Sequence, residues 1–225
     1  LAQGLSSARI EAAGKMMGNV QRELEALGLD GARFIVSVTQ AKSDGGLVLP
    51  DGNSYIFNQD GIDNVEFMVS TNPGEPVRPL VKIASTGEMS RFMLAIKSAL
   101  GTVDQTPVLV FDEIDIGVGG RSGEVIGKKL WQLARNRQVI CVTHLPQIAA
   151  FGDAHFHVFK EASGGRTLSV LSSLSGETRV RELAVMLTGA KLSDASIKAG
   201  RELLKAADLW KTSAITPRQA RMETG

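Results

Sequence analysis

Cysteine is almost missing from this chain. Among 225 residues there is one, Cys141, which excludes an intrachain disulfide framework and fits a reducing cytoplasm. Net charge is lacking too, +1 from 25 basic and 24 acidic residues, so whole-chain electrostatics neither require nor exclude a nucleic-acid partner. No apolar run approaches the roughly 20 residues that span a bilayer, and the N-terminal stretch does not read as a signal peptide. Also absent is any G-x-x-x-x-G-K-[ST], the loop whose backbone amides and lysine cradle nucleotide phosphates. What remains is an ordinary globular composition, 43% hydrophobic and 22% charged, with length for one large or two small domains.

The most informative stretch is VLVFDEIDIGVGG, Val108 to Gly120. Four apolar residues predict a short strand buried on both faces, as in a parallel sheet. Asp112 and Glu113 follow at its C-terminal end, the edge where open α/β sheets bind ligands. One carboxylate can hold Mg²⁺ through water, and the other can polarise an attacking water. A solvated acidic turn explains the pair equally well at this point. QVICV, Gln138 to Val142, predicts a second buried strand, delivering Thr143 and His144. A helix over 122–134 links the two strands, with Ile126, Leu130, Leu133 and Ala134 on one face. A right-handed crossover of that kind brings Asp112, Glu113 and His144 to one sheet edge.

Upstream, helical spacing covers residues 1 to 27, with Met16, Val20, Leu24 and Leu27 on one face and Gly28 as the stop. Read alone, this is an ordinary surface helix. Alternation at Phe34, Val36 and Val38 and at Val65, Phe67 and Val69 predicts two strands, antiparallel across a turn-rich loop. Ser85 and Glu88 have capping-box spacing, making Ser85 the N-cap of a helix that buries Met89, Phe92, Met93, Ile96 and Leu100 before Gly101. Free amides at such a helix start suit phosphate, although a well-capped helix needs no ligand. A short helix follows Pro146, and a hairpin pairs 156–160 with 168–171 across Ser163-Gly164-Gly165. Helices over 177–188 and 193–208 precede a polar, loose tail from Lys211. Arg121, Lys128, Lys129, Arg135 and Arg137 form a basic stretch, read either as a solvated face or as a DNA contact.

Taken in order, these motifs resemble those of ABC-type ATPases. Ser85-Thr86-Gly87-Glu88 resembles the signature motif, VLVFDE the Walker B strand, Ile116 to Gly120 the D-loop, and His144 the switch histidine. The longer strings NPGEPVRPLVKIASTGEMSRFMLAIK, FDEIDIGVGGRSGEVIGKKL and CVTHLPQIAAFGDAHFHVFK resemble the C-terminal half of the bacterial RecN family, SMC-like ATPases of DNA repair. The likeness runs from about Ala12 to Ala207.

The resemblance implies an α/β fold: the C-terminal lobe of an ABC/SMC-type head, with a mainly parallel core sheet, flanking helices and an antiparallel part. It divides the chain into the end of a coiled-coil arm (1–28), the half-head (29–210) and the tail (211–225). It implies ATP and Mg²⁺ as cofactors. Asp112 supports the metal, Glu113 is the general base and His144 contacts the γ-phosphate. Ser85, Thr86, Gly87 and Glu88 serve the ATP of an opposite head, with Gly117 and Gly119 in the D-loop. The implied partners are DNA, an N-terminal half carrying the phosphate loop, and a second copy through the heads, in a cytoplasmic, nucleoid-associated protein without a membrane anchor. The implied function is ATP hydrolysis at a head–head interface in double-strand-break repair and recombination. Other readings are half of a different SMC-like or ABC ATPase, or a non-catalytic binding or scaffolding module. Thr86 departs from the family, which usually has glycine there, and Gly119 stands where many relatives carry Asp. With Leu1 first and no phosphate loop, the expectation is a fragment inactive toward ATP on its own.

Overall fold

The computed structural model describes residues 1–101, 103–163, 166–189 and 192–215. They form two compact units, Leu1–Ile116 with Arg135–Ile140, and Gly117–Ala134 with the described part of Cys141–Gly225.

The first unit opens with α1 (Ala2–Ala26), one continuous helix burying Ser6, Ala13, Val20 and Leu24. Leu27 closes it through backbone bonds to Glu23 and Leu24, and Gly28 at φ 75° takes the left-handed turn that stops it. α1 packs on β1 (Arg33–Gln40) and α2 (Thr86–Leu100). Its start is pinned by a buried carboxylate on β4 (Asp63–Ser70): Asp63 accepts from Ser6 Oγ at 2.7 Å, Gln40 Nε2 at 2.9 Å and Arg9 Nη1 at 3.2 Å. β1 and β4 pair antiparallel over eight positions, from Arg33–Ser70 to Gln40–Asp63. β5 (Arg78–Pro79) adds a short antiparallel edge.

The loop between β1 and β4 holds a second antiparallel pair, β2 (Lys42–Val48) and β3 (Ser54–Tyr55), which the turn-like composition concealed. Gly46 lies in β2, and a Cβ there would fall 2.0 Å from the Tyr55 carbonyl oxygen. That glycine therefore serves a close strand approach. β6 (Val108–Phe111) and β7 (Gln138–Cys141) form a two-stranded sheet.

The expectation of burial on both faces of β6 is corrected. Leu109 and Phe111 are buried, but Val108 is 44% and Val110 66% exposed, as is Ile140 on β7 at 46%. One face is covered and the other carries apolar side chains without a layer over them. The antiparallel part is also larger than expected, with three of the four sheets antiparallel throughout.

In the second unit α3 (Gly120–Ala134) packs on α4 (Pro146–Ala149), and α5 (Gly176–Thr188) on α6 (Asp194–Ile215). Two glycines permit these contacts: a Cβ at Gly127 would sit 2.6 Å from the Phe151 ring, and one at Gly200 would sit 2.8 Å from the Val180 carbonyl oxygen. Trp131, Ala150, Phe151, Leu183 and Ala207 form the core, and Trp210 closes on it edge-to-face with Trp131 and Phe151. β8 (His155–Ser163) and β9 (Arg166–Leu174) pair antiparallel, the predicted hairpin; residues 164–165 of its turn lie outside the described residues. α6 runs through Ile215, past Lys211 where a loose tail was expected. Trp210 and Ala214 pack on the core at helical spacing, which carries the helix on. The remainder of that tail, 216–225, is outside the described residues.

Candidate functional site

The start of α2 and the end of β6 meet within the first unit. Ser85 has extended backbone and its Oγ accepts from the Glu88 amide at 3.4 Å, so the expected N-cap is present, though long. The chain enters the helix at Thr86, leaving the first-turn amides at a positive dipole end. Gly87 is buried against the loop after β6, where a Cβ would lie 3.0 Å from both the Glu113 carbonyl oxygen and the Ile116 Cβ. Only glycine allows that spacing without displacing backbone.

Four residues of this helix clasp the loop 112–116. Thr86 Oγ1 donates to the Glu113 carboxylate. Gly87 supplies the close contact. Ser90 Oγ donates to the Asp112 carbonyl at 2.8 Å. Arg91 Nη1 donates to the carbonyls of Ile114 at 3.1 Å and Ile116 at 2.8 Å. Glu113 is the only non-glycine with positive φ among the described residues, at 56°. The loop thus turns sharply at Glu113 while its carbonyls are held by α2. Asp112 and Glu113 are exposed, whereas Ile114 and Asp115 behind them are buried. Burial lowers the affinity of the Arg91 guanidinium for its proton, and Glu88 and Asp115 oppose that shift.

Sequence reasoning placed the signature stretch and the Asp-Glu pair separately and missed Ser90 and Arg91. Arg91 was legible in principle: it is a charged residue beside Phe92 on a buried helical face, and such a group needs acceptors. Of the five residues expected to bury on α2, Phe92 and Ile96 do so fully, while Met89, Met93 and Leu100 are half-buried. Leu94 and Ala95 complete the buried face.

Other expected residues lie in the second unit. Gly117 has φ 73°, a conformation suited to glycine, and Gly119 leads into α3. His144 is exposed in the turn between β7 and α4. Two residues of the basic stretch, Arg137 and Lys128, have acidic partners within the chain. Arg137 is corrected: its side chain is 5% exposed, and it donates to Asp104 Oδ2 at 2.7 Å and to the carbonyls of Gly101 and Asp104. Lys128 pairs with Glu124 at 2.6 Å and lies 5.4 Å from the Trp210 ring. Arg121 is exposed at the start of α3, and Arg135 is exposed just past its end.

No group of three or more His, Cys, Asp or Glu among the described residues could hold a metal alone. No described helix is long and apolar enough to cross a membrane.

No family model matches the chain. It is 42% identical over 207 residues to a DNA repair protein RecN of Streptomyces coelicolor, covering 92% of this chain and 36% of that protein. It is 38% identical over 214 residues to the RecN of Bacillus subtilis, covering 94% of this chain and 37% of that one. The chain therefore spans about a third of the length of these relatives. Among solved structures it is similar in fold to the Smc head domain with a coiled coil and joint from Pyrococcus yayanosii. That match has a TM-score of 0.53 at 19% identity and covers 81% of this chain and 30% of the other.

Proposed function

The chain is a RecN homologue over about a third of that protein's length, and from this premise we infer that it is the C-terminal half of an SMC-like ATPase head acting in DNA double-strand-break repair. The observation that carries the reading is the clasp of α2 on the loop 112–116, which makes the signature stretch and the Asp112-Glu113 pair one local structure.

ATP and Mg²⁺ fit the donor set. Mg²⁺ is commonly held by one or two carboxylates together with substrate phosphates rather than by a protein cage. A single exposed Asp112 whose backbone is fixed by Ser90 matches that pattern. The metal, when bound, supplies charge neutralisation at the phosphates. Asp112 would hold it through water. Glu113 accepts a proton from the attacking water at its carboxylate. His144 would contact a γ-phosphate, and Gly117 and Gly119 would let the D-loop backbone approach an opposite copy. Ser85, Thr86, Gly87 and Glu88 face the nucleotide of that copy.

The chain carries no phosphate loop of its own, so this half requires an N-terminal half that provides one. The exposed apolar side chains of Val108, Val110 and Ile140 support that partner, because a central strand is normally covered on both faces. For DNA, the proposed phosphate contacts are Arg121, Lys128, Lys129 and Arg135, with affinity falling steeply as salt rises.

The test is Glu113→Gln in the intact protein. ATP binding is expected to persist while turnover falls about 10²- to 10⁴-fold, the usual contribution of a positioned general base. Undiminished hydrolysis would remove Glu113 from this role.

A further inference from the structure

We propose that Thr86 is a latch: its hydroxyl holds the Glu113 carboxylate of its own chain and releases it when the head engages a second copy. The proposal rests on the reading of Glu113 as general base and of α2 as facing the opposite nucleotide.

Three observations carry it. Thr86 Oγ1 donates to Glu113 Oε2, a side-chain bond across 27 positions of sequence between two exposed residues. Glu113 sits at φ 56°, which turns this residue out of the line of β6. The backbone around that bond is held independently, by Ser90 on the Asp112 carbonyl and Arg91 on those of Ile114 and Ile116. Loss of the Thr86 hydroxyl therefore frees the carboxylate without freeing the loop.

The chemistry of a hydroxyl then imposes a choice. Threonine has one O–H to donate. Donated to Glu113, that proton is unavailable to a phosphate oxygen arriving at the start of α2. Donated to the phosphate, it leaves Glu113 free to accept from water. One side chain thus links the state of the opposite nucleotide to the base of its own site, and it does so with a residue that glycine could not replace.

The experiment uses the intact protein and compares wild type with Thr86→Val, which keeps the β-branched shape without the donor, and with Thr86→Ser, which keeps the donor. ATP turnover is measured across protein concentrations that span head engagement, because each site needs the opposite copy. Thr86→Val is expected to raise kcat about tenfold, the worth of one hydrogen bond to a charged acceptor, and to raise KM as well, because the phosphate loses the same donor. Thr86→Ser keeps the O–H and is expected to lack the rise in kcat, which separates the hydroxyl from a packing role. Unchanged or lowered kcat in Thr86→Val overturns the latch. Glu113→Gln assayed in parallel tells the two failures apart: an inactive Glu113→Gln with an unraised Thr86→Val rejects the latch alone, whereas an active Glu113→Gln rejects the base and the latch with it.

Discussion

At the scale of single residues, partners decide roles that residue type leaves open. Arg137 is a surface cation by sequence and a buried ion-pair member in the fold. Its acceptor, Asp104, lies 33 positions away and also accepts from Thr106 Oγ1 at 2.6 Å and Lys97 at 2.9 Å. The Thr106 bond, then that of Lys97, holds the Asp104 carboxyl well below the usual carboxylate range. A carboxylate depressed in the folded state adds stability that is complete above its unfolded value and is lost as pH falls through the folded one. Asp104→Asn is therefore expected to lower the unfolding midpoint by several degrees at neutral pH, with Lys97 and Arg137 left short of an acceptor. The gap from wild type should shrink as the solution is acidified through the carboxylate range. A gap that stays constant with pH in thermal unfolding would show that Asp104 is not the group responsible. None of this was legible in the sequence, because nothing local joins Asp104 to Arg137. Thr86 is similar: the sequence marks it as a departure from the family, and its bond to Glu113 is seen only in the fold.

At the scale of elements, the periodic pattern carried most of the fold. α1, α2, α3, α5, the β1–β4 pair and the β8–β9 hairpin were legible because each has one apolar face at regular spacing. β2 and β3 were not, since Gly45-Gly46 reads as a turn until Tyr55 is seen crossing over Gly46. The packing of α5 on α6 depends on Gly200 in the same hidden way. Alanine there would gain about 1 kcal/mol of helix propensity, yet its Cβ would lie 2.8 Å from the Val180 carbonyl oxygen and 3.0 Å from the Ala184 amide nitrogen. Backbone cannot yield as a side chain can, so Gly200→Ala is expected to destabilise by about 1–3 kcal/mol net. Urea unfolding checks this, and a midpoint at or above that of wild type would mean the helices separate without penalty.

At the scale of the whole molecule, the candidate site is half of one. In the proposed function Asp112 and Glu113 serve one nucleotide and the stretch Ser85–Glu88 another, and the chain covers about a third of its RecN relatives. The motif order was legible because each motif is short and contiguous. The exposed face of β6 was not, since an apolar run reads the same whether its covering layer is in the chain or elsewhere. If each site draws its base from one copy and its signature from another, two different defects must complement each other. Ser85→Arg blocks the signature side with a long side chain, and Glu113→Gln removes the base. ATP turnover by the two intact variants, each alone and then co-expressed and co-purified, is the direct measurement. Each variant alone is predicted to bind ATP and to be inactive. The mixed population is predicted to recover part of the wild-type rate, from sites pairing an unaltered Glu113 with an unaltered Ser85. A co-purified mixture that binds ATP and stays inactive, or full turnover by either variant alone, would contradict the account.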